Sequence, residues 1–136
     1  MRTLLSDPEG ADASSGNSPP FILLVDDDPT GRQAIACLLL DAGMRCVAVG
    51  SGDEALDLCG DRIPRLVITD LCMPGLDGRG LGLRLRARFP TLGLILITAE
   101  SLDDSQLGEL RHTFDDVQRK PVDCVRFLDR VCHLAD

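Results

Sequence analysis

Phe21-Ile22-Leu23-Leu24-Val25-Asp26-Asp27-Asp28-Pro29 decides the fold. Five apolar residues run without interruption into three carboxylates and a proline. An unbroken run of this length is the pattern of a strand buried on both faces, not the alternation of a strand with one wet side. Pro29 suits a first helical turn, where its missing N–H costs nothing. Beyond it Ile35, Leu38, Leu39 and Ala42 recur at helical spacing until Gly43 stops the helix.

The same strand-then-helix unit repeats along the chain. Strands are expected at 45–48, 66–69, 94–98 and 116–119, and helices near 53–59, 80–88, 102–111 and 122–133. The last helix carries Val125, Leu128, Val131 and Cys132 on one side. Five strands alternating with five helices predict an α/β, doubly wound, five-stranded parallel sheet with helices on both faces. In such sheets ligands bind outside the carboxyl ends of the strands, which directs attention to the polar residues found there.

The bulk composition sets limits around this core. A chain of 136 residues with 44% hydrophobic content fits one ordinary domain that needs no disulfide or structural metal. Residues 1–20 have no apolar periodicity and read as a flexible leader, with the domain proper at 21–136. The net charge of −8 offers no global attraction for nucleic acid or an anionic membrane surface. No stretch approaches the roughly 18 apolar residues a membrane span requires. The six cysteines form no C-x-x-C pair and read as buried small apolar side chains in a reducing compartment, so a cytoplasmic location is expected. The last helix ends almost at Asp136, leaving these residues no room for an output domain and implying action through contacts.

At the strand ends stand Asp26, Asp27 and Asp28, then Asp70, Thr98, and the pair Lys120-Pro121. Several carboxylates gathered at a low-dielectric edge repel one another, and a hard divalent cation relieves that repulsion. Mg²⁺ is the expected ion, because it takes one or two protein carboxylates and leaves positions for phosphate oxygen. Each residue also has a plain structural reading. Asp28, ahead of Pro29, is a good helix cap. Asp70 could start a loop, Thr98 could be an ordinary strand residue, and Lys120 alone would be a solvated lysine.

Four segments taken together are more specific: Ile22 to Pro29, Leu66 to Gly78 (Leu-Val-Ile-Thr-Asp-Leu-Cys-Met-Pro-Gly-Leu-Asp-Gly), Leu94 to Ala99, and Arg119-Lys120-Pro121. In this order and spacing the chain resembles the receiver domains of bacterial response regulators over roughly residues 21 to 133. The resemblance implies a flavodoxin-like strand order 2-1-3-4-5. It implies that Asp70 accepts a phosphoryl group from a histidine kinase or histidine phosphotransfer protein. Asp26, Asp27, Asp70 and the main-chain carbonyl of Cys72 would hold Mg²⁺. Thr98 and Lys120 would contact the new phosphoryl group, and Lys120-Pro121 would be a cis peptide. Cys72 and Glu100, two residues past Asp70 and Thr98, would tune water access. A monomer or weak homodimer acting on an unidentified downstream protein is expected.

Departures from the family's pattern lie on the signalling side. Val117 stands where the family usually has Tyr or Phe, the switch position that follows the Thr98 hydroxyl, and Thr113-Phe114 replaces a usual Gly-Ala pair. The helix near 102–111 reads as locally weak, with Ser101 and Asp104 as its capping arrangement and Gly108 costing up to about 1 kcal/mol relative to Ala. Arg79, Arg84, Arg86 and Arg88 read as a solvated basic face, and His112 and His133 as isolated surface histidines. Two other functions stay open at this point. One is a receiver-like binding module that works without phosphorylation. The other is a haloacid dehalogenase-type phosphatase, in which Asp26-x-Asp28 would supply the nucleophile and Asp70 would have no role.

Overall fold

The computed structural model describes residues 3–4 and 19–135. In chain order the elements are β1 (Thr3–Leu4), β2 (Ile22–Val25), α1 (Pro29–Asp41), β3 (Cys46–Val49), α2 (Gly52–Asp61) and β4 (Leu66–Asp70). They continue as α3 (Gly78–Arg88), β5 (Gly93–Thr98), α4 (Asp104–Arg111), β6 (Asp116–Arg119) and α5 (Cys124–Ala135). The sheet order is β1-β3-β2-β4-β5-β6. Its five long strands are parallel, in the expected order 2-1-3-4-5. One strand was not expected: β1 pairs antiparallel with the outer edge of β3, Thr3 opposite Ala48 and Leu4 opposite Val47. A two-residue strand has no period to read, and only its partner's open edge defines it. Of the rest of the stretch read as a leader, residues 1–2 and 5–18 lie outside the described residues, and only Pro19 and Pro20 at its end are described.

Strand periodicity divides the core in two. Leu23 and Val25 of β2, with Val67, Leu94 and Leu96, face the layer of α2, α3 and α4. Ile22 and Leu24, with Ile68, Ile95 and Ile97, face α1 and α5, where Phe127 and Val131 are fully buried. Both faces are covered, which is why the strands carry no polar alternation until their carboxyl ends.

Local chemistry fixes the helix starts. Asp28 caps α1 by accepting from Gly31 N at 3.1 Å, so it takes the structural role open to it. Gly43, at φ 82°, ends the same helix segment in the left-handed region that glycine enters without strain. The cap of α4 differs from the expectation. Asp103, not Ser101, is its N-cap and forms a capping box with Gln106. The Ser101 hydroxyl instead accepts from Arg119 Nη2 at 2.7 Å. Gly108 lies within α4.

Two further readings are corrected by burial and contacts. Only Cys46 and Cys59 are buried; Cys37, Cys72, Cys124 and Cys132 are exposed, because apolar type alone does not say which face of a helix or loop a thiol occupies. Burial pushes the Cys46 thiol up to about 12 and Cys59 to about 11. Arg86 is no solvated cation. Its guanidinium donates to Thr113 O, Pro90 O and Leu92 O and reaches Asp115, fastening α3 to the loops flanking β5. Phe114 is buried with its ring against α3 at Gly82, where a Cβ would come within 2.9 Å of Cε2. The bulky residue in the Gly-Ala position is thus matched by a missing side chain across from it.

Candidate functional site

Asp26 follows β2 directly and Asp70 is the last residue of β4, the neighbouring strand, so the sheet register itself brings the two carboxylates to one edge. Asp26 is buried, Asp27 exposed and Asp70 half-buried. The three offer oxygen atoms that all lie within 4.8 Å of one another. Lys120 leaves β6 on the far side and extends back over β5: its Nζ is 3.3 Å from Asp26 Oδ2 and 3.5 Å from Asp70 Oδ2. Its main-chain N–H donates to Thr98 O at 2.8 Å, and its bond to Pro121 is cis.

The carboxylates are further oriented by backbone donors. Asp26 Oδ1 accepts from Asp28 N at 3.0 Å, and Asp70 Oδ1 accepts from Leu71 N at 3.0 Å. Burial raises the pKa of the Asp70 carboxyl; Lys120 pulls it back, and the nearby Asp26 charge raises it again, leaving it above the usual range. Burial works against the charge on Lys120, yet Asp26 and Asp70 outweigh it and hold the ammonium above its ordinary pKa. Three carboxylates facing one ammonium leave surplus negative charge in a partly dry pocket, made of hard oxygen donors. That donor set suits a small divalent cation.

The remaining expected residues fall around this pocket. Thr98 is buried at the end of β5, and its hydroxyl accepts from Glu100 N at 3.0 Å. Cys72 is exposed in the loop after β4, with its thiol held above the usual range by a hydrogen bond to Glu100. Val117 is buried on β6 with the cluster that includes Leu110 and Phe114. His112 and His133 are exposed and lie away from the acidic group.

Several residues that shape the pocket escaped the sequence reading. A Cβ on Gly31, in the first turn of α1, would sit 2.9 Å from Asp26 Oδ2 and 3.7 Å from Lys120 Nζ, so the helix backbone forms one wall. Gly78 at the start of α3 packs directly on the Asp70 carbonyl, a contact that leaves no room for a side chain. Arg32 Nη1 donates to Asp26 O at 2.8 Å, holding the end of β2. The available signal was glycine in the first turn of two helices, where better helix formers are ordinarily preferred.

A family model described as the response regulator receiver domain matches residues 22–132. The response regulator protein FleR of Pseudomonas aeruginosa is 37% identical over 114 residues, covering 84% of this chain and 24% of FleR. The chain thus spans about a quarter of that relative's length. A 14.6 kDa protein of Leptolyngbya boryana is 34% identical over 116 residues, 82% of this chain and 88% of that one. The solved receiver domain of NtrX from Brucella abortus superposes with a TM-score of 0.75 at 31% identity, over 84% of this chain and 96% of the other. In a dehalogenase-type site Asp28 would join Asp26 in the chemistry, whereas here it caps a helix. Fold, acidic edge and family match agree: the chain belongs to the response regulator receiver domains.

Proposed function

We propose that this receiver domain takes a phosphoryl group on Asp70 in a Mg²⁺-dependent reaction and signals through protein contacts. The observation that carries the reading is the convergence of Asp26, Asp27 and Asp70 with Lys120 at the edge of the sheet. The donor is a phosphohistidine on a histidine kinase or histidine phosphotransfer protein. An Asp70 carboxylate oxygen attacks phosphorus, the P–N bond breaks, and the imidazole nitrogen leaves with the electron pair and takes up a proton. Mg²⁺, held by Asp26, Asp27, Asp70 and the Cys72 carbonyl, would neutralise charge on the transferring oxygens. Lys120 contributes a fixed positive charge at the same place, already pointed by its two carboxylate contacts.

The product acyl phosphate is hydrolysed when water reaches phosphorus, regenerating the Asp70 carboxylate and inorganic phosphate. Cys72 and Glu100, joined by a hydrogen bond, stand beside that approach and set its rate. Thr98 turns its hydroxyl from Glu100 N toward the phosphoryl group, and Val117 replaces the aromatic residue that ordinarily follows this motion. The output is a contact with a downstream protein, made by a cytoplasmic monomer or weak dimer, without direct binding to nucleic acid.

Intact-mass measurement after incubation with acetyl phosphate and Mg²⁺ tests the reading. One added phosphoryl group is expected, absent from Asp70→Asn and absent when the cation is chelated. No mass gain at any donor concentration would favour a module that works without phosphorylation, and a gain that survives Asp70→Asn would place the nucleophile elsewhere.

A further inference from the structure

The neighbouring helices α2 and α3 divide charge between them. α2 carries Asp53, Glu54, Asp57 and Asp61 and no basic residue, whereas α3 carries Arg79, Arg84, Arg86 and Arg88 and no acidic one. Asp53, Asp57 and Asp61 are exposed at four-residue spacing, which sets like charges along one side of the helix. Asp61 also stands at the helix end where the dipole disfavours an anion. None of the three has an ion pair among the described residues, so the fold does not offset this repulsion. Two arginines of α3 are committed elsewhere, Arg79 to Glu109 of α4 and Arg86 to Asp115 and the carbonyls near it. Arg84 and Arg88 remain exposed without a carboxylate, and Arg88 lies over the Phe89 ring at 5.3 Å. On the same helix Leu83 is 52% exposed. Gly60 of α2 and Ala87 of α3 are small and exposed.

We propose that the face formed by α2 and α3 binds a second copy of this chain, with α2 of each copy over α3 of the other. Both helices connect parallel strands and run from the carboxyl edge of the sheet to its amino edge. A two-fold axis parallel to them therefore exchanges the acidic helix with the basic one. Gly52, the first residue of α2, packs against Leu76 just ahead of α3, which sets the two helix starts level. Arg84 and Arg88 each stand one residue further from their helix start than Asp57 and Asp61 do from theirs, so the rows meet at matching heights. Every ion pair occurs twice by symmetry, Leu83 is covered, and Gly60 and Ala87 permit close approach. A partner of one sign would satisfy one helix and repel the other, whereas a second copy satisfies both. Helices of 10 and 11 residues are only about 15–17 Å long, which makes the interface small and the dimer weak. The contact goes beyond the phosphoryl reading and does not depend on it.

Sedimentation equilibrium of the whole chain, without phosphodonor, tests the proposal at about 0.15 M salt, where repulsion between two net-negative copies is screened beyond about 8 Å. The parent is expected to follow a monomer–dimer scheme. Asp57→Arg/Asp61→Arg and Arg84→Asp/Arg88→Asp each bring like charges together in both rows, and each variant alone is expected to dimerise about tenfold or more weakly than the parent. An equimolar mixture of the two restores opposite charges in both rows and is expected to associate as tightly as the parent. That recovery separates a lost contact from a lost fold, because a misfolded variant is not rescued by mixing it with another. A parent that stays monomeric up to about 1 mM, unchanged dimerisation in either variant, or a mixture no tighter than its components would overturn the proposal.

Discussion

Gly82 and Phe114 form a pair whose energetics can be worked out from the packing. A Cβ at position 82 would lie 2.9 Å from Phe114 Cε2 and 3.0 Å from Cε1, with Cζ closer still, and Phe114 is only 2% exposed. In the parent, Gly82→Ala gains about 0.5–1 kcal/mol from helix propensity but suffers overpacking of about 1–3 kcal/mol, a net loss of about 1–2 kcal/mol. Phe114→Ala alone costs about 3–5 kcal/mol, because a buried ring is removed and its cavity only partly closes. With the ring gone the obstacle is gone too. Gly82→Ala then keeps its helix gain and adds about 0.8 kcal/mol for a newly buried methyl, so its sign reverses to a gain of about 1–2 kcal/mol. The coupling between the two positions is therefore about 2–4 kcal/mol. Urea unfolding followed by circular dichroism at the helix band measures it; the chain has no Trp or Tyr to report by fluorescence. If Gly82→Ala costs the same in both backgrounds, within about 0.5 kcal/mol, the close approach of ring and helix is wrong.

Other perturbations have defined outcomes. Arg86→Ala removes donors from Thr113 O, Pro90 O and Leu92 O and should cost about 2–4 kcal/mol in thermal unfolding, with Arg86→Lys recovering less than half because one ammonium cannot span the set. Asp70→Asn should stabilise the chain at neutral pH, since the folded carboxyl holds its proton more tightly than the unfolded one and ionisation therefore costs stability. That gain should fade as pH falls through the raised pKa and vanish below the ordinary carboxylate value; a gain that grows on acidification would refute the cause given. Of the six thiols, Cys46 and Cys59, buried and raised to about 12 and 11, should react with a disulfide reagent only after unfolding, while the other four react in the native state. Amide exchange across α4 should change when a phosphate analogue is bound at Asp70, and equal exchange in both states would argue against α4 as the responsive element.

The elements that could be read from sequence were those whose residues answer to burial on two sides. Ile22–Val25, Leu66–Asp70 and Gly93–Thr98 are central strands, covered by helices on both faces, so hydrophobic runs mark them with little ambiguity. The polar residues closing those runs fall at one edge because parallel strands in register end together, and this made Asp26, Asp70 and Thr98 legible as neighbours. What could not be read depends on cross-chain contact. The strand Thr3–Leu4 exists only through pairing with β3, and the role of Arg86 is set by carbonyls up to 27 residues from it in sequence and by the Asp115 carboxylate. The α4 cap moved to Asp103 because an acidic cap with Gln106 three residues on satisfies two backbone donors at once, whereas Ser101 was taken by Arg119. Cysteine burial failed for the same reason: residue type states a preference, and the packed face decides.

Lys120 joins Asp26 and Asp70, two acids on the middle strands, to the end of the outermost strand β6. The sheet's rim is consequently fastened across β5 by electrostatic attraction as well as by its ladder to that neighbour. Any event that redistributes charge among the acids alters the tension on this clasp, and the strand it restrains also bears Val117 and Arg119. Neutralising the acids should therefore slacken the rim itself, giving β6 faster amide exchange even where no partner is present.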